Sequence, residues 1–413
     1  MQPSSQMSRR PAANPLRSRA PAQPSAPKLF QNVQVAGNTK LRFRLAPTEY
    51  PYANTLRRVI LAEVETVGFR ADILADGSTS DVKIKKNTTP MSNEMLAHRI
   101  GLLPIFVDAP MSWKPDEYTF TLNMKNESAN TVDVTAADIE VARVTDDGPV
   151  KIPNVEFFHP NPITHSTALI AVLKGKLGQQ DAEEISFTAK ATVGVGRENA
   201  RFIPVSQCSY KYTLNEDPDE QKEYFVKWLR DYKKVDYLEL ETDETRRGEF
   251  EREFKTMEIA RCFLKDSNGE PTSFDFEIES MGPLSLKYIV GRAIDVIQEK
   301  LVKYTSLDTG SLPTNMRIGP SLKKMKGFDI VFENEDHTLG NMLQSWMDAT
   351  QIDTKVITYV GYEIPHPLKD EMMMSVGVED GNETTVRTAI ATAARELSGM
   401  FRRWAVEWAG LTF

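Results

Sequence analysis

The sequence predicts an α+β protein in which two related half-cores of strands and long helices close on each other as an intramolecular pseudo-dimer. A β-rich insert interrupts the first half. Three observations predict this. Residues 43–56, Phe-Arg-Leu-Ala-Pro-Thr-Glu-Tyr-Pro-Tyr-Ala-Asn-Thr-Leu, align without a gap on residues 330–343, Ile-Val-Phe-Glu-Asn-Glu-Asp-His-Thr-Leu-Gly-Asn-Met-Leu. Phe43 meets Ile330, Leu45 meets Phe332, Tyr52 meets Leu339, Asn54 meets Asn341 and Leu56 meets Leu343, so a strand, a polar turn and a helix recur. Residues 273–279 form a further strand–helix unit, setting Phe274, Phe276 and Ile278 against Asp275, Glu277 and Glu279 ahead of an apolar helix. Finally, Val386, Ile390, Ala393, Leu397, Met400 and Trp404 repeat at intervals of 4, 3, 4, 3 and 4, the period of a helix seam packed on another long helix.

Taken in order, residues 1–28 hold five basic residues, no acidic residue and six prolines, a composition that cannot bury a core and predicts a disordered tail. Leu41, Phe43 and Leu45 alternate with Arg42 and Arg44, a half-buried strand. Ala53, Leu56, Val59, Ile60 and Val64 then fall at helical spacing. Arg57 and Arg58 follow one another and diverge by about 100° around that helix. Residues 67–215 carry β-branched runs at 118–124, 131–135, 167–173 and 185–195 between Gly, Pro and Asn turns. A short helix is expected over 91–102, ended by Pro104. Residues 216–253 are charge-dense, with Trp228 and Tyr232 suggesting one apolar stripe on a solvent-facing helix. Ser280 and Pro283 are start signals for a helix over 283–304 that carries Leu286, Ile289, Ala293, Val296, Ile297 and Leu301. Residues 306–326 read as a linker. A strand at 328–332, a helix at 337–350 with Leu339 and Leu343 inward, strands near 355–360 and 372–379, and a helix over 383–408 complete the second half-core. The expected dimerisation core is thus Leu56, Val59, Ile60, Ile289, Ala293, Ile297, Leu339, Leu343, Ile390, Leu397, Met400 and Trp404.

The 413 residues suffice for two or three domains. A net charge of −8 argues against a surface that coats nucleic acid, though not against a local basic patch. Two cysteines, Cys208 and Cys262, make neither a four-cysteine metal site nor a disulfide framework, which suits a reducing, intracellular compartment. No apolar run approaches the ~20 residues of a membrane span.

Two sets of motifs carry a family resemblance. Ala53-Asn54-Thr55-Leu56-Arg57-Arg58-Val59-Ile60-Leu61-Ala62-Glu63-Val64, Asn87-Thr88 and Glu94-Met95-Leu96-Ala97-His98-Arg99-Ile100-Gly101-Leu102-Leu103-Pro104-Ile105 resemble the larger α-like assembly subunit of cellular RNA polymerases. That group holds the bacterial α subunit, its larger archaeal counterpart, the third-largest subunit of RNA polymerase II and the version shared by polymerases I and III. Val134–Ile139 is similar to a stretch of bacterial α, while Leu169–Leu173 and Gly194–Phe202 resemble the version shared by polymerases I and III. Asn334–Asn341 and Gly361–Leu368 resemble the smaller partner, found in archaeal polymerases and as the eleventh-largest subunit of polymerase II. Two chains that normally form a heterodimer are here joined, an arrangement resembling polymerases of some large DNA viruses.

The resemblance implies a division of the chain. Residues 29–66 and 256–305 would form the larger-subunit-like dimerisation domain, 67–255 the insert, and 327–413 the smaller-subunit-like domain. It implies a non-catalytic scaffold that nucleates a DNA-directed RNA polymerase and docks its largest and second-largest subunits. Small zinc-binding polymerase subunits would join them, with DNA met only through the complex. Arg57 and Arg58 occupy the positions of the family's paired arginines at the large-subunit interface, where a guanidinium suits bidentate carboxylate contacts. The location implied is the nucleus or, for a viral chain, the cytoplasmic factory and virion. No cofactor, metal or catalytic residue is expected.

Plainer readings compete with each feature. Arg57 and Arg58 also fit solvated helix charges. His98 and His337 have no recognisable nucleophile or carboxylate partner, and His337 fits a helix-start packing role. His366 lies between prolines in an extended loop. Gly194-Val195-Gly196 hints at a dinucleotide loop, but Asn199 stands at the third glycine position and no helix follows. The acids in 333–336 fit a polar strand–helix turn. The chain departs from the family in lacking the cysteine zinc loop, the iron–sulfur cysteines and the bacterial C-terminal DNA-binding domain. A reading from another class is a stand-alone homodimer that uses the 383–408 seam.

Overall fold

A computed structural model of the chain describes residues 28–75, 79–176, 178–241 and 243–413. The tail expected over 1–28 lies outside the described residues except for Lys28. The half-cores use one topology twice. The first runs β1 (Phe30–Ala36), β2 (Lys40–Leu45), α1 (Tyr50–Ala62), β3 (Val205–Tyr212), β4 (Phe274–Ser280) and α2 (Leu286–Val302). The second runs β5 (Met316–Pro320), β6 (Gly327–Glu333), α3 (His337–Met347), β7 (Tyr359–Glu363), β8 (Glu371–Gly377) and α4 (Glu383–Ala409). Each half forms a four-stranded antiparallel sheet, in the orders β1-β2-β4-β3 and β5-β6-β8-β7.

The alternation in β2 and β4 produces this geometry. Leu41, Phe43 and Leu45 face Ile278, Phe276 and Phe274 across the pair, and all six are buried. On the other face Arg42 pairs with Glu277 at 2.6 Å and Arg44 with Asp275 at 2.8 Å, a charge ladder that keeps the outer face wet. Strand β4 ends at Ser280, whose hydroxyl donates to the Leu284 carbonyl, and Ser285 caps α2 by accepting from the Tyr288 amide. The start signal read at Ser280 is therefore a turn, and the cap lies five residues later.

One apolar cluster unites the halves, running from Phe30, Leu41 and Leu56 through Ile289 and Ile297 to Leu339, Ile390, Leu397 and Trp408. Helices α2 and α4 pack along each other, while α1 lies against α2 and α3. The Trp408 ring sits 5.0 Å from Phe30 and 5.7 Å from Phe43, and its Nε1–H donates to the Lys287 carbonyl at 3.0 Å. Seam residues Leu397 and Trp404 are buried inside the same chain, so the homodimer expected from that seam has no free seam to use. Met400 is only partly buried, and Phe401 fills its place. The buried positions 386, 390, 393, 397, 401, 404 and 408 step by 4, 3, 4, 4, 3 and 4, an 11-residue rather than a 7-residue repeat. That period departs from the strict heptad that winds a left-handed supercoil.

The span expected as one β-rich insert, 67–255, divides three ways. A five-stranded sheet (Val82–Asn87, Glu184–Ala189, Tyr118–Lys125, Glu140–Thr145, Gly148–Ile152) and the helix Asn93–Gly101 enclose a separate core around Phe69, Phe120 and Phe187. Strand β3 belongs to the first half-core. Between β3 and β4, the charge-dense segment forms two helices, Pro218–Trp228 and Glu244–Glu253, about a third core of Phe225, Trp228, Leu229, Leu240 and Phe254. The single helix expected there breaks because Leu229–Lys233 winds as a π-turn and Lys234 closes it at φ 57°. The expected linker 306–326 likewise contains β5, the hairpin partner of β6 and the counterpart of β1.

Candidate functional site

Helices α1, α2 and α3 bring a cluster of charges onto the junction between the half-cores. Asp336 caps α3 by accepting from the Thr338 amide at 2.7 Å, which leaves its second oxygen for Arg58 of α1 at 3.1 Å. The Arg58 Nε–H also donates to the Thr338 hydroxyl at 2.9 Å. The equivalent cap position of α1 is Glu49, whose side chain caps nothing, so the two halves are not interchangeable here. One residue before the cap, Glu335 is 3% exposed and meets Lys300 Nζ of α2 at 3.1 Å. Lys300 also meets Glu63, at the end of α1, at 3.2 Å.

Arg197 completes the junction. It pairs with Glu63 at 3.7 Å, donates to the Asn334 carbonyl at 3.0 Å and forms an ion pair with Asp370. Its backbone N–H donates to the Ala62 carbonyl at 2.8 Å, setting a cation at the C-terminal end of α1. The two glycines before it explain that approach. A Cβ on Gly194 would lie 2.5 Å from the Phe202 ring, and one on Gly196 would lie 2.2 Å from the Leu61 carbonyl. They serve close packing in and just after a strand, Thr192–Val195, and not a phosphate loop.

The electrostatics follow from burial set against pairing. Burial pushes the Glu335 carboxyl above its ordinary range, with Lys300 opposing. Burial would lower Lys300, yet Glu335 and Glu63 hold it above the usual lysine value, so it stays charged. Burial would raise Asp336, but the Thr338 hydroxyl and amide and then Arg58 outweigh it and hold the carboxyl below its ordinary range. The acids of 333–336 are thus balanced by cations of the first half-core and of β5, Glu333 meeting Arg317 at 3.3 Å.

The two arginines singled out from the sequence go separate ways. Arg58 is bound to the second half-core, as described. Arg57 donates to Asn54 Oδ1 at 3.0 Å and turns into an open hollow of about 850 Å³, which it lines with Arg44, Tyr210 and Asp275. Burial pushes the neighbouring Cys208 thiol up to about 12, which leaves it unreactive at neutral pH. His337 contacts the Tyr362 hydroxyl at 3.2 Å and His366 accepts from the Leu368 amide, both local packing contacts. Every expected core residue except Met400 is buried. Glu63, Arg197, Glu335 and Asp336 lie inside stretches that carry the family resemblance, but nothing in those stretches pairs them with one another, and Lys300 carries no motif signal at all. Among the described residues no group of three or more His, Cys, Asp or Glu side chains is placed to hold a metal, and no helix is long and apolar enough to cross a membrane.

Comparison with known proteins agrees with this geometry. The family model described as the RNA polymerase Rpb3/Rpb11 dimerisation domain matches residues 42–301, and a second model of the same description matches residues 328–405. The chain is 26% identical over 293 residues to subunit 3B of DNA-directed RNA polymerases IV and V of Arabidopsis thaliana, covering 63% of this chain and 85% of that one. It is 27% identical over 269 residues to DNA-directed RNA polymerase subunit Rpo3 of Methanosphaera stadtmanae, covering 60% and 87%. To the polymerase II subunit rpb3 of Dictyostelium discoideum it is 26% identical over 294 residues, covering 64% and 89%.

Proposed function

This chain belongs to the RNA polymerase Rpb3/Rpb11 dimerisation family, and from that premise we propose that it is a non-catalytic assembly subunit of a DNA-directed RNA polymerase. The observation that carries the reading is the repeated ββαββα unit, two copies of which share one apolar core on a single chain. Where two separate chains must meet in solution, a covalent link makes pairing part of folding, at an effective concentration on the order of millimolar. The product is one preformed, asymmetric surface.

The docking role goes to Arg57. Arg58 is committed to Asp336 and Thr338, whereas Arg57 lines an open hollow and, among the described residues, donates to Asn54 on its own helix. A guanidinium in a concave, half-exposed setting suits a carboxylate on one of the two large subunits. Small zinc-binding subunits would join the same scaffold. The chain itself supplies no reacting group in this reading.

Affinity purification of the tagged chain from its native source, with mass spectrometry of what accompanies it, tests the proposal. Two very large chains, one bearing an Asp-x-Asp-Gly-Asp loop, support it. Recovery of the chain alone as a stable homodimer overturns it.

A further inference from the structure

The helical module between β3 and β4 carries an aromatic groove that the assembly role does not use. Tyr224, Trp228 and Tyr232 recur every four residues along Pro218–Trp228 and its π-turn, so they line one side of that helix. Phe254 and Phe263 complete a hollow of about 360 Å³. Trp228 and Phe254 form its floor, buried to 6% and 4% exposure, while Tyr232 stands 67% exposed on its lip. Asp231 and Glu258 line the rim beside Lys227 and Arg261; Arg230 and Arg261 hold the two carboxylates at 3.3 and 3.2 Å, and Arg261 also lies 5.9 Å over the Tyr232 ring. A carboxylate with one such partner retains lone pairs for another cation.

The first 27 residues have the matching chemistry. Pro21, Pro24 and Pro27 are spaced by three, the repeat of ligands recognised as a polyproline II helix. Such faces dock on aromatic-lined grooves at low ordering cost. Arg17 and Arg19 precede them, and a guanidinium both stacks on Tyr and pairs with Asp or Glu. Residues 1–28 carry five basic and no acidic residues, whereas residues 214–263 carry fifteen acidic and ten basic ones.

Position supports the match. Phe30, Leu45, Phe274 and Tyr212 form one rung across the first sheet. The chain enters at Phe30, and the module leaves the sheet beyond Tyr212 and returns at Phe274. Three strand spacings of ~4.8 Å put Tyr212 roughly 15 Å from Phe30. Phe263 of the groove packs on Tyr212 at 4.9 Å between ring centres. A seven-residue polyproline II segment spans about 22 Å at ~3.1 Å per residue, longer than that separation.

We propose that this groove is the intramolecular docking site of residues 17–27, the chain's own Pro- and Arg-rich segment. The test is limited trypsinolysis of the full chain, following cleavage after Arg17 and Arg19. With an effective concentration on the order of 1 mM and a separated-peptide Kd of about 0.2 mM, cleavage is slowed about sixfold. Tyr232→Ala, which removes an exposed ring and leaves the fold intact, and the triple change of Pro21, Pro24 and Pro27 to Ser should each abolish that protection. Combined, they should add nothing further. Equal cleavage rates in all four proteins overturn the proposal. Protection that survives Tyr232→Ala overturns it by placing the segment elsewhere. Protection that rises with protein concentration overturns it in favour of a second copy of the chain.

Discussion

Removing the charge of Lys300 is the sharpest perturbation of the junction between the half-cores. Its ammonium lies 3.1 Å from Glu335 and 3.2 Å from Glu63, with the three side chains 12%, 4% and 15% exposed. Lys300→Met keeps the aliphatic stem and strands the carboxylates. Glu63 retains Arg197 at 3.7 Å, so the loss falls on Glu335. Breaking a buried pair costs about 3–5 kcal/mol. Glu335 can limit that cost by taking up a proton. Protonating a carboxyl of ordinary pKa near 4.3 at pH 7 costs about 3.7 kcal/mol, at 1.36 kcal/mol per pH unit, and at pH 5 only about 1 kcal/mol. The destabilisation should therefore be about 3–3.7 kcal/mol at pH 7 and about 1 kcal/mol at pH 5. The sign is fixed by linkage. A carboxyl raised in the folded state contributes most below its unfolded pKa and loses that contribution as pH rises through its folded value. The raised pKa of Lys300 has its stabilisation in place below about 10.4, so the wild-type lysine does not titrate across this window. Urea denaturation followed by tryptophan fluorescence, with Trp404 and Trp408 as reporters, measures the difference at both pH values. Adding Glu335→Gln to Lys300→Met should recover most of the loss at pH 7. A destabilisation that is the same at pH 5 and pH 7, with no recovery in the double variant, would falsify the account of a charge stranded on Glu335.

Four further outcomes are expected. Leu397→Asp places an unpaired carboxylate at a fully buried position between α4 and α2, and should unfold the second half-core or lower its thermal midpoint severely; an unchanged midpoint sinks the pseudo-dimer packing. Gly291→Ala should stabilise by about 0.5–1 kcal/mol, because a new Cβ in mid-α2 meets the Trp408 ring at an ordinary 3.5 Å; a loss in denaturation experiments shows the helix pair is tighter than described. Asp336→Asn keeps the cap but loses the charge held by Arg58, a side chain 33% exposed, so the cost at pH 7 should stay below about 1 kcal/mol. Because the Asp336 carboxyl is lowered, its contribution is present above about pH 3.9 and lost as pH falls through its folded value, so Asp336→Asn should flatten the acid limb of a stability–pH profile. Arg57→Glu should leave the thermal midpoint unchanged while reducing recovery of the large polymerase chains in affinity purification; undiminished recovery removes Arg57 from the docking surface.

Periodic burial is readable from the sequence because it depends only on near neighbours along the chain. Leu41, Phe43 and Leu45 recur at the strand period and Leu56, Val59 and Ile60 at the helix period, and each such set is buried. The alignment of 43–56 on 330–343 holds for the same reason, since both segments solve one local problem, a strand turned into a helix. The helical seam is legible too, although a strict heptad rule places Met400 where α4 buries Phe401. The charged junction lies beyond such reasoning. Arg58 and Asp336 lie 278 residues apart, Arg197 and Asp370 173 apart, and Lys300 and Glu335 35 apart on different half-cores. An isolated Lys or Glu in a sequence carries no mark of the charge it will meet. Only the meeting of the two sheets' helices selects Arg58 for internal pairing and leaves Arg57, its neighbour in the chain, turned toward the open hollow.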